Sequence, residues 1–184
     1  DMFRISSNPA GGTITLAHAN NVNTTNKLSA AYDDTARIMS FESVVYFVAD
    51  TGRVSEQGQA INALYRQTDN LVNAANATFL IEELIEGVDN MQILYGERLA
   101  SGNLRFVPAD LVADMQSVES IKLGLLISSS YQVIQADDNF SYELPGETIA
   151  PAGTAGATVT HVIDRRLRRD FQLAINIRNR QPGN

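Results

Sequence analysis

The sequence contains no cysteine. That excludes disulfides, thiolate nucleophiles and cysteine metal sites, but assigns no compartment, because an exported bacterial protein lacks cysteine as readily as a cytosolic one. Histidine is nearly as scarce, with His18 and His161 the two present. They are too few for a histidine-rich metal centre, and neither stands in an HExxH arrangement. On an extended chain His161 and Asp164, three residues apart, point to opposite faces, which argues against a ligand pair. There is no GxSxG nucleophile elbow and no DxDxDG calcium loop. Gly153-Thr154-Ala155-Gly156 lacks the lysine and the strand-turn-helix setting of a phosphate loop. No signal peptide or long apolar run occurs. The chain opens at Asp1 without an initiator methionine, so a processed or truncated product is expected. The missing apolar segment then weighs little against membrane attachment.

Acids are plentiful, in pairs such as Asp33-Asp34, Glu82-Glu83 and Asp137-Asp138. A glycosidase or metal-dependent hydrolase needs two carboxylates held at a set separation across a cleft, and adjacency in sequence does not supply that. These pairs, Asp137-Asp138-Asn139 included, read as solvated surface. No catalytic, cofactor-binding or metal-binding residue is expected.

With 184 residues, 44% of them apolar, the chain is long and greasy enough for one domain with a real core. A single domain over 1–184 is expected, with a loose lead-in over 1–36 rich in Asn, Thr, Ala and Gly. The net charge of -7 is unevenly spread. Residues 1–160 carry 8 basic and 19 acidic side chains, and the remainder 6 basic and 2 acidic. An acidic body disfavours nonspecific nucleic-acid binding.

Taken in order, Ile14-Thr15-Leu16 reads as a short strand and Lys27–Arg37 as the one place in the lead-in for a helix, with loop packed over a sheet as the equal alternative. Val44-Val45-Tyr46-Phe47-Val48 is β-branched and aromatic, hence strand. Ala60–Arg66 makes an antiparallel partner across a loop of about ten residues. Leu80, Ile81, Leu84, Ile85 and Val88 fit a helical stripe, with Glu82, Glu83 and Glu86 on its wet side. From Asp89 the period becomes two, and Met91, Ile93 and Tyr95 alternate with Asn90, Gln92 and Leu94. Leu104–Val107 is extended, and Pro108 can start a short helix with Leu111, Val112 and Met115 inward. Ile121, Leu123, Leu125 and Ile127 read as the inward face of a central strand, with Gly124 and Leu126 opposite, which suggests a strand covered on both faces. Residues 129–156 form a long loop excursion with one short strand near Tyr131–Ile134. Val159–Ile163 leads into a closing strand in which Phe171, Leu173, Ile175 and Ile177 recur with period two, one face in the core. The fold class predicted is α+β: an antiparallel sheet domain with one or two short helices and long loops.

Ahead of that closing strand stand Arg165, Arg166, Arg168 and Arg169. No aromatic platform or recognition helix accompanies them, so nucleic acid is set aside. A solvated charge run is one reading; the favoured one is pairing with carboxylates of this chain or of a neighbouring subunit. In an extended run Arg166 and Arg168 share one face, and Arg165 and Arg169 the other. Glu86 and Asp89, flanking Gly87-Val88, are the partners expected first.

Several ordered pieces carry a family resemblance. They are Ser43-Val44-Val45-Tyr46-Phe47-Val48-Ala49, then Leu64-Tyr65-Arg66, then Leu84 to Gly96 (LIEGVDNMQILYG). The apolar strand Ile121–Ser128, Arg165-Arg166-Leu167-Arg168-Arg169 and Ala174 to Arg180 (AINIRNR) complete the series. Over about residues 40–180 the chain resembles the PilW family of type IV pilus minor pilins. The resemblance implies a pilin-like periplasmic sheet domain without a catalytic centre. It also implies an N-terminal apolar helix, processed and methylated at its start, that anchors the subunit in the inner membrane of a Gram-negative bacterium and later in the filament. Function is expected in priming pilus assembly within a minor-pilin complex at the pilus tip. Other minor pilins and the major pilin would be the partners. The chain departs from the pattern in lacking that helix and its cleavage motif, in Asp170 standing where the family is apolar, and in lacking a tryptophan before Ile121–Ser128. The minor pseudopilin GspJ of type II secretion is similar enough to be the alternative. A carboxylate-dependent hydrolase is the remote one, and an adhesin tip module would need a concave apolar or aromatic surface.

Overall fold

The computed structural model describes residue 1, residue 3, residues 5–6, 17–39, 42–69 and 79–177. The chain divides into two compact units, Asp1–Phe41 and Glu42–Asn184. In the described part of the first, local side-chain bonds replace regular structure. The Asp1 carboxylate accepts from the Ser29 backbone N–H at 2.7 Å and from the Tyr32 hydroxyl at 2.8 Å. Residues 27–37 form turns and bends, the loop alternative to a helix in this stretch. Thr25 and Asp33 explain why, since their side chains accept from the N–H groups of Lys27 and Thr35, two residues on, and offer the backbone turns in place of helix bonds. The strand expected at 14–16 lies outside the described residues.

Among the described residues the second unit holds ten strands: β1 (Ser43–Val54), β2 (Ala60–Asp69), β3 (Phe79–Glu86), β4 (Val88–Arg98), β5 (Leu104–Val107), β6 (Val118–Gln132), β7 (Tyr142–Leu144), β8 (Glu147–Pro151), β9 (Val159–His161) and β10 (Arg166–Asn176). Three sheets result, ordered β1-β2-β3, β10-β6-β4-β5 and β7-β8-β9, antiparallel except for the β8–β9 pair. The helical content among the described residues is two 3-10 turns, Ala109–Leu111 and Met115–Ser117. This is the predicted α+β, pilin-like plan, with short helical turns where Pro108 was expected to open a helix. The 129–156 excursion is more ordered than its composition implies, because β7 and β8 form a hairpin inside it.

The stripe at 80–88 belongs to a strand, not a helix. Glu82 stands opposite Arg66, and Ile85 opposite Leu64. Leu84 is the extra residue of a bulge between those pairs. The register puts Leu80, Glu82 and Ile85 on one face and Ile81, Glu83 and Glu86 on the other, so the strand carries apolar residues on both faces, and β2 offers an open edge that completes the ladder. Arg66 pairs with Glu82, and Arg53 with Glu83 and Glu86. The glutamates thus meet cross-strand arginines as well as water.

Gly87 joins β3 to β4, and with them two sheets. Its N–H donates to Asn62 O of β2 at 2.8 Å, and its carbonyl accepts from Ser128 N of β6 at 2.7 Å. Its φ of +81° suits glycine, and a Cβ there would lie 2.3 Å from Ser128 O.

The central strand β6, expected to be covered on both faces, is closed on one of them, and not on the one expected to point inward. Val118, Ser120, Gly124, Leu126 and Ser128 are buried, while Ile121, Leu123, Leu125 and Ile127 are only half-buried. Small residues decide this. At Gly124 a Cβ would meet Pro145 Cδ at 2.3 Å, so the β7–β8 turn can close down on that side. The core there is Leu126, Leu144 and Ile149, with Tyr142 and Val159 against it.

Candidate functional site

Register places the apolar residues of the four-stranded sheet in rungs. Met91, Leu125 and Phe171 stand opposite one another; so do Ile93, Leu123 and Leu173; and so do Tyr95, Ile121 and Ile175, with Val107 extending that rung into β5. Residues directly opposite share a face. None of these ten is buried, and Phe171, Leu173 and Ile175 are 54%, 48% and 45% exposed. The closing strand was expected to bury this face in a core; instead it is open. Its other side, where Gly124 meets the β7–β8 turn, is the covered one. An apolar surface of this size on a folded domain marks a contact surface.

The arginine run divides between the two faces. Arg166 and Arg168 point to the covered side, and their side chains are 5% and 0% exposed. Arg168 Nε donates to Asp89 Oδ2 at 3.1 Å, and its Nη1 to Asp138 Oδ2 at 3.1 Å and Asp164 Oδ1 at 2.9 Å. Arg166 Nε donates to Asp164 Oδ2 at 2.7 Å and its Nη1 to Ser128 Oγ at 3.2 Å. Ser128 Oγ lies 3.1 Å from Asp89 Oδ1, and the Tyr142 hydroxyl donates to Asp138 Oδ2 at 2.8 Å. Three aspartates thus surround two arginines and leave one negative charge over. Asp89 comes from β4, Arg166 and Arg168 from β10, Tyr142 from β7, and Asp138 and Asp164 from the connections between strands. The cluster clasps the 133–165 connection to the back of the sheet. Backbone bonds from Val133 N to Arg165 O and from Asp138 N to Asp164 O, at 2.9 and 2.8 Å, run beside it.

Electrostatics follow from this packing. Burial pushes the Asp164 carboxyl up, but hydrogen bonds from Arg168 and Arg166 outweigh it and hold the group below the usual carboxylate value. Burial works against the Arg168 charge, and Asp164, Asp89 and Asp138 more than restore it. Desolvation, then the bond to Asp138, pushes the Tyr142 phenol up to about 12.

Of the residues singled out in the sequence, Asp89, Arg166 and Arg168 meet in this cluster. Glu86 stands apart, paired with Arg53 at 2.8 Å and bonded by Ser130. Arg165 is exposed, 3.6 Å from Asp137. The Arg169 side chain is exposed and makes no hydrogen bond or ion pair among the described residues. Asp138 and Asp164 were not expected. Asp138, read as solvated surface, is 1% exposed and Asp164 7%. The available signal was Asp164 two residues before Arg166, a spacing that shares a face on an extended chain. The oxygens of Asp89 accept from Ser128 and Arg168, and those of Glu86 from Ser130 and Arg53, so these are not two free acids across a cleft. His161 is buried, with its ring nitrogens 2.8 and 2.9 Å from the carbonyls of Phe140 and Val162. Among the described residues no group of three or more His, Cys, Asp or Glu could hold a metal ion.

Among the described residues, then, the antiparallel sheet keeps one apolar face open and buries an ion cluster behind the other. The family model described as Type IV Pilus-assembly protein W, PilW, matches residues 45–179. The chain belongs to the PilW family. The match takes in the bare face and the arginine clasp, and stops two residues past Ile177. No curated protein and no solved structure matches the chain. PilW membership gives the protein a general role in type IV pilus assembly, a structural rather than catalytic task carried out with other pilins. Among the described residues no helix is long and apolar enough to cross a membrane.

Proposed function

We propose that this chain is the periplasmic part of a minor pilin that helps to initiate type IV pilus assembly, within a minor-pilin complex at the pilus tip. In this reading a processed, methylated N-terminal apolar helix anchors the subunit in the inner membrane of a Gram-negative bacterium. That helix also runs over the bare face of the four-stranded sheet. The observation that carries the reading is that face. Fully burying a Leu, Ile or Phe side chain contributes about 1.5–3 kcal/mol. Covering three that are about half exposed therefore supplies a few kcal/mol, with half-buried Leu123, Ile93 and Met91 adding to it. Four strands spaced about 4.8 Å apart give a platform about 14 Å across, wide enough for one helix of about 10 Å diameter. The exposed arginines, Arg165 and Arg169, are the members of the run left for a neighbouring pilin.

Deletion of the gene in its own bacterium tests the role. Surface pili should disappear, return with the wild-type gene, and stay absent with Leu123→Asp or Leu173→Asp. Normal pili together with lost secretion of exoproteins would assign the chain to the GspJ-like pseudopilin role instead. If both pili and secretion were normal, the assembly reading would fail.

A further inference from the structure

β10 is the outer strand of the four-stranded sheet, and no strand lies beyond it among the described residues. An outer strand leaves half of its backbone N–H and C=O groups without a ladder, and natural sheets blunt such edges with proline, lysine, a bulge or brevity. Past Arg168, β10 has none of these. Its one register shift lies between Arg166 and Arg168, and residues 169–176 are all exposed. The other outer edges differ. β5, β7 and β9 are three or four residues long. β3 carries Glu82 and Glu83 at its middle, and pairing with a copy of itself would set these acids against each other. Residues 46–50 of β1 line a cleft shared with Asp89, Asn90 and Met91 of β4, so that edge is engaged within the molecule.

We propose that β10 pairs with β10 of a second copy of this chain, antiparallel about a two-fold axis at Leu173. The register follows from which backbone groups are free. Ile177 N donates to Glu119 O at 2.8 Å, in register with the Ile175–Ile121 and Leu173–Leu123 pairs, so odd-numbered residues of β10 bond inward to β6. The N–H and C=O groups of Asp170, Gln172, Ala174 and Asn176 therefore point outward. An axis at Leu173 joins Gln172 to Ala174 of the second copy, and Asp170 to Asn176. On the open face it sets Phe171 opposite Ile175, an aromatic and β-branched pair, and Leu173 opposite itself. The apolar rungs then run on from one sheet into the other. Charge admits this register, because the Asp170 carboxylate meets a neutral amide and Arg169 lies opposite Ile177. An axis at Asp170 would bring two carboxylates face to face. One at Gln172 would part Phe171 from Ile175 and set Arg169 there, and one at Ala174 would shorten the overlap within β10. The contact is isologous and closed, as two-fold pairing is. Its area is that of one strand edge, at the low end for specific interfaces, so the pairing is weak and reversible. It uses the edge of the sheet and stands whatever covers the open face.

The chain has no cysteine, so single introduced cysteines report on the seam. At the axis the two Leu173 positions form a non-hydrogen-bonded pair with Cα atoms about 4.5 Å apart, within disulfide reach. Phe171 and its copy lie about 14 Å apart, four residues at about 3.4 Å each, as do Ile175 and its copy, and neither pair can be bridged. Under mild oxidation Leu173→Cys should form a disulfide-linked dimer at least tenfold faster than Phe171→Cys or Ile175→Cys alone. A mixture of the last two should cross-link to each other in preference to themselves. Ala174→Pro removes an outward N–H and leaves the bonds to β6 in place, as proline does on an edge strand. Added to Leu173→Cys, it should cut dimer formation at least fivefold with the circular dichroism unchanged; if that variant loses its fold, the cysteine comparison decides alone. Equal rates for the three single cysteines would mean chance collision and overturn the pairing. Faster self-linking of Phe171→Cys or Ile175→Cys would overturn the register. Undiminished cross-linking in a folded Ala174→Pro variant would move the contact off the edge, and no cross-linking at any position would leave the edge to another partner; either result would overturn the proposal.

Discussion

At the scale of single residues, Arg168 decides most. Its charge is wholly buried and answered by three aspartates, so its value lies in specificity more than in net stability, since a buried ion cluster roughly offsets its own desolvation. Removing one partner is another matter, because the remaining charges stay buried. Arg168→Ala should destabilise the domain by about 3–5 kcal/mol in denaturant titration. The exposed Arg165→Ala should move it by less than about 0.5 kcal/mol. Equal effects from the two would dispose of the clasp. Gly87→Ala combines a positive φ with a contact against Ser128 O. The backbone strain alone costs about 1–3 kcal/mol. Thermal melting of that variant should show a loss at least this large, because a carbonyl held in the β6 ladder cannot step aside. The sequence placed Arg166 and Arg168 on one face by simple alternation. Their partners were harder to find, because Asp138 lies thirty residues from Arg168 and only chain folding makes them neighbours.

At the scale of elements, the two surprises have one cause each. β3 imitates a helix in sequence because its apolar residues fall on both of its faces, a mixture that reads as a helical stripe. β6 shows its larger apolar side chains to the open face and its small residues to the covered one. The second arrangement is a matter of distance, since the β7–β8 turn fits against Gly124 and would not fit against a leucine. Tyr142 links that turn's hairpin to the clasp. Tyr142→Phe removes one hydrogen bond to Asp138, which keeps the donors from Arg168 and Phe140 N. Hydrogen bonds to charged groups contribute about 1.5–3 kcal/mol. Urea unfolding at neutral pH should therefore show a loss near the lower end of that range, with an unchanged slope. A larger loss with a changed slope would mean that the whole hairpin detaches.

At the scale of the whole molecule, the same groups set how stability varies with pH. Asp164 has a depressed pKa in the folded state, so its contribution is present above the unfolded value of about 3.9. It is lost as pH falls through the folded value. Glu97, held low by Arg105 and by the Asp114 N–H, acts in the same direction. Tyr142 acts at the other end: its raised pKa keeps its contribution whole below about 10, and that contribution fades as pH climbs through about 12. Melting temperature should thus form a plateau that drops below about pH 4, and Asp164→Asn should lower the plateau while flattening the acid limb. An acid limb as steep in Asp164→Asn as in the wild type would refute this assignment. What the sequence determined by itself is the set of strands with true two-residue alternation and the splitting of the arginines between two faces. Both depend on nearest-neighbour geometry alone. Only the tertiary structure decided which face of the central sheet is covered and which carboxylates close on Arg168. A period of two says that a strand has two sides, and a packed turn some twenty residues further along determines which of them stays open.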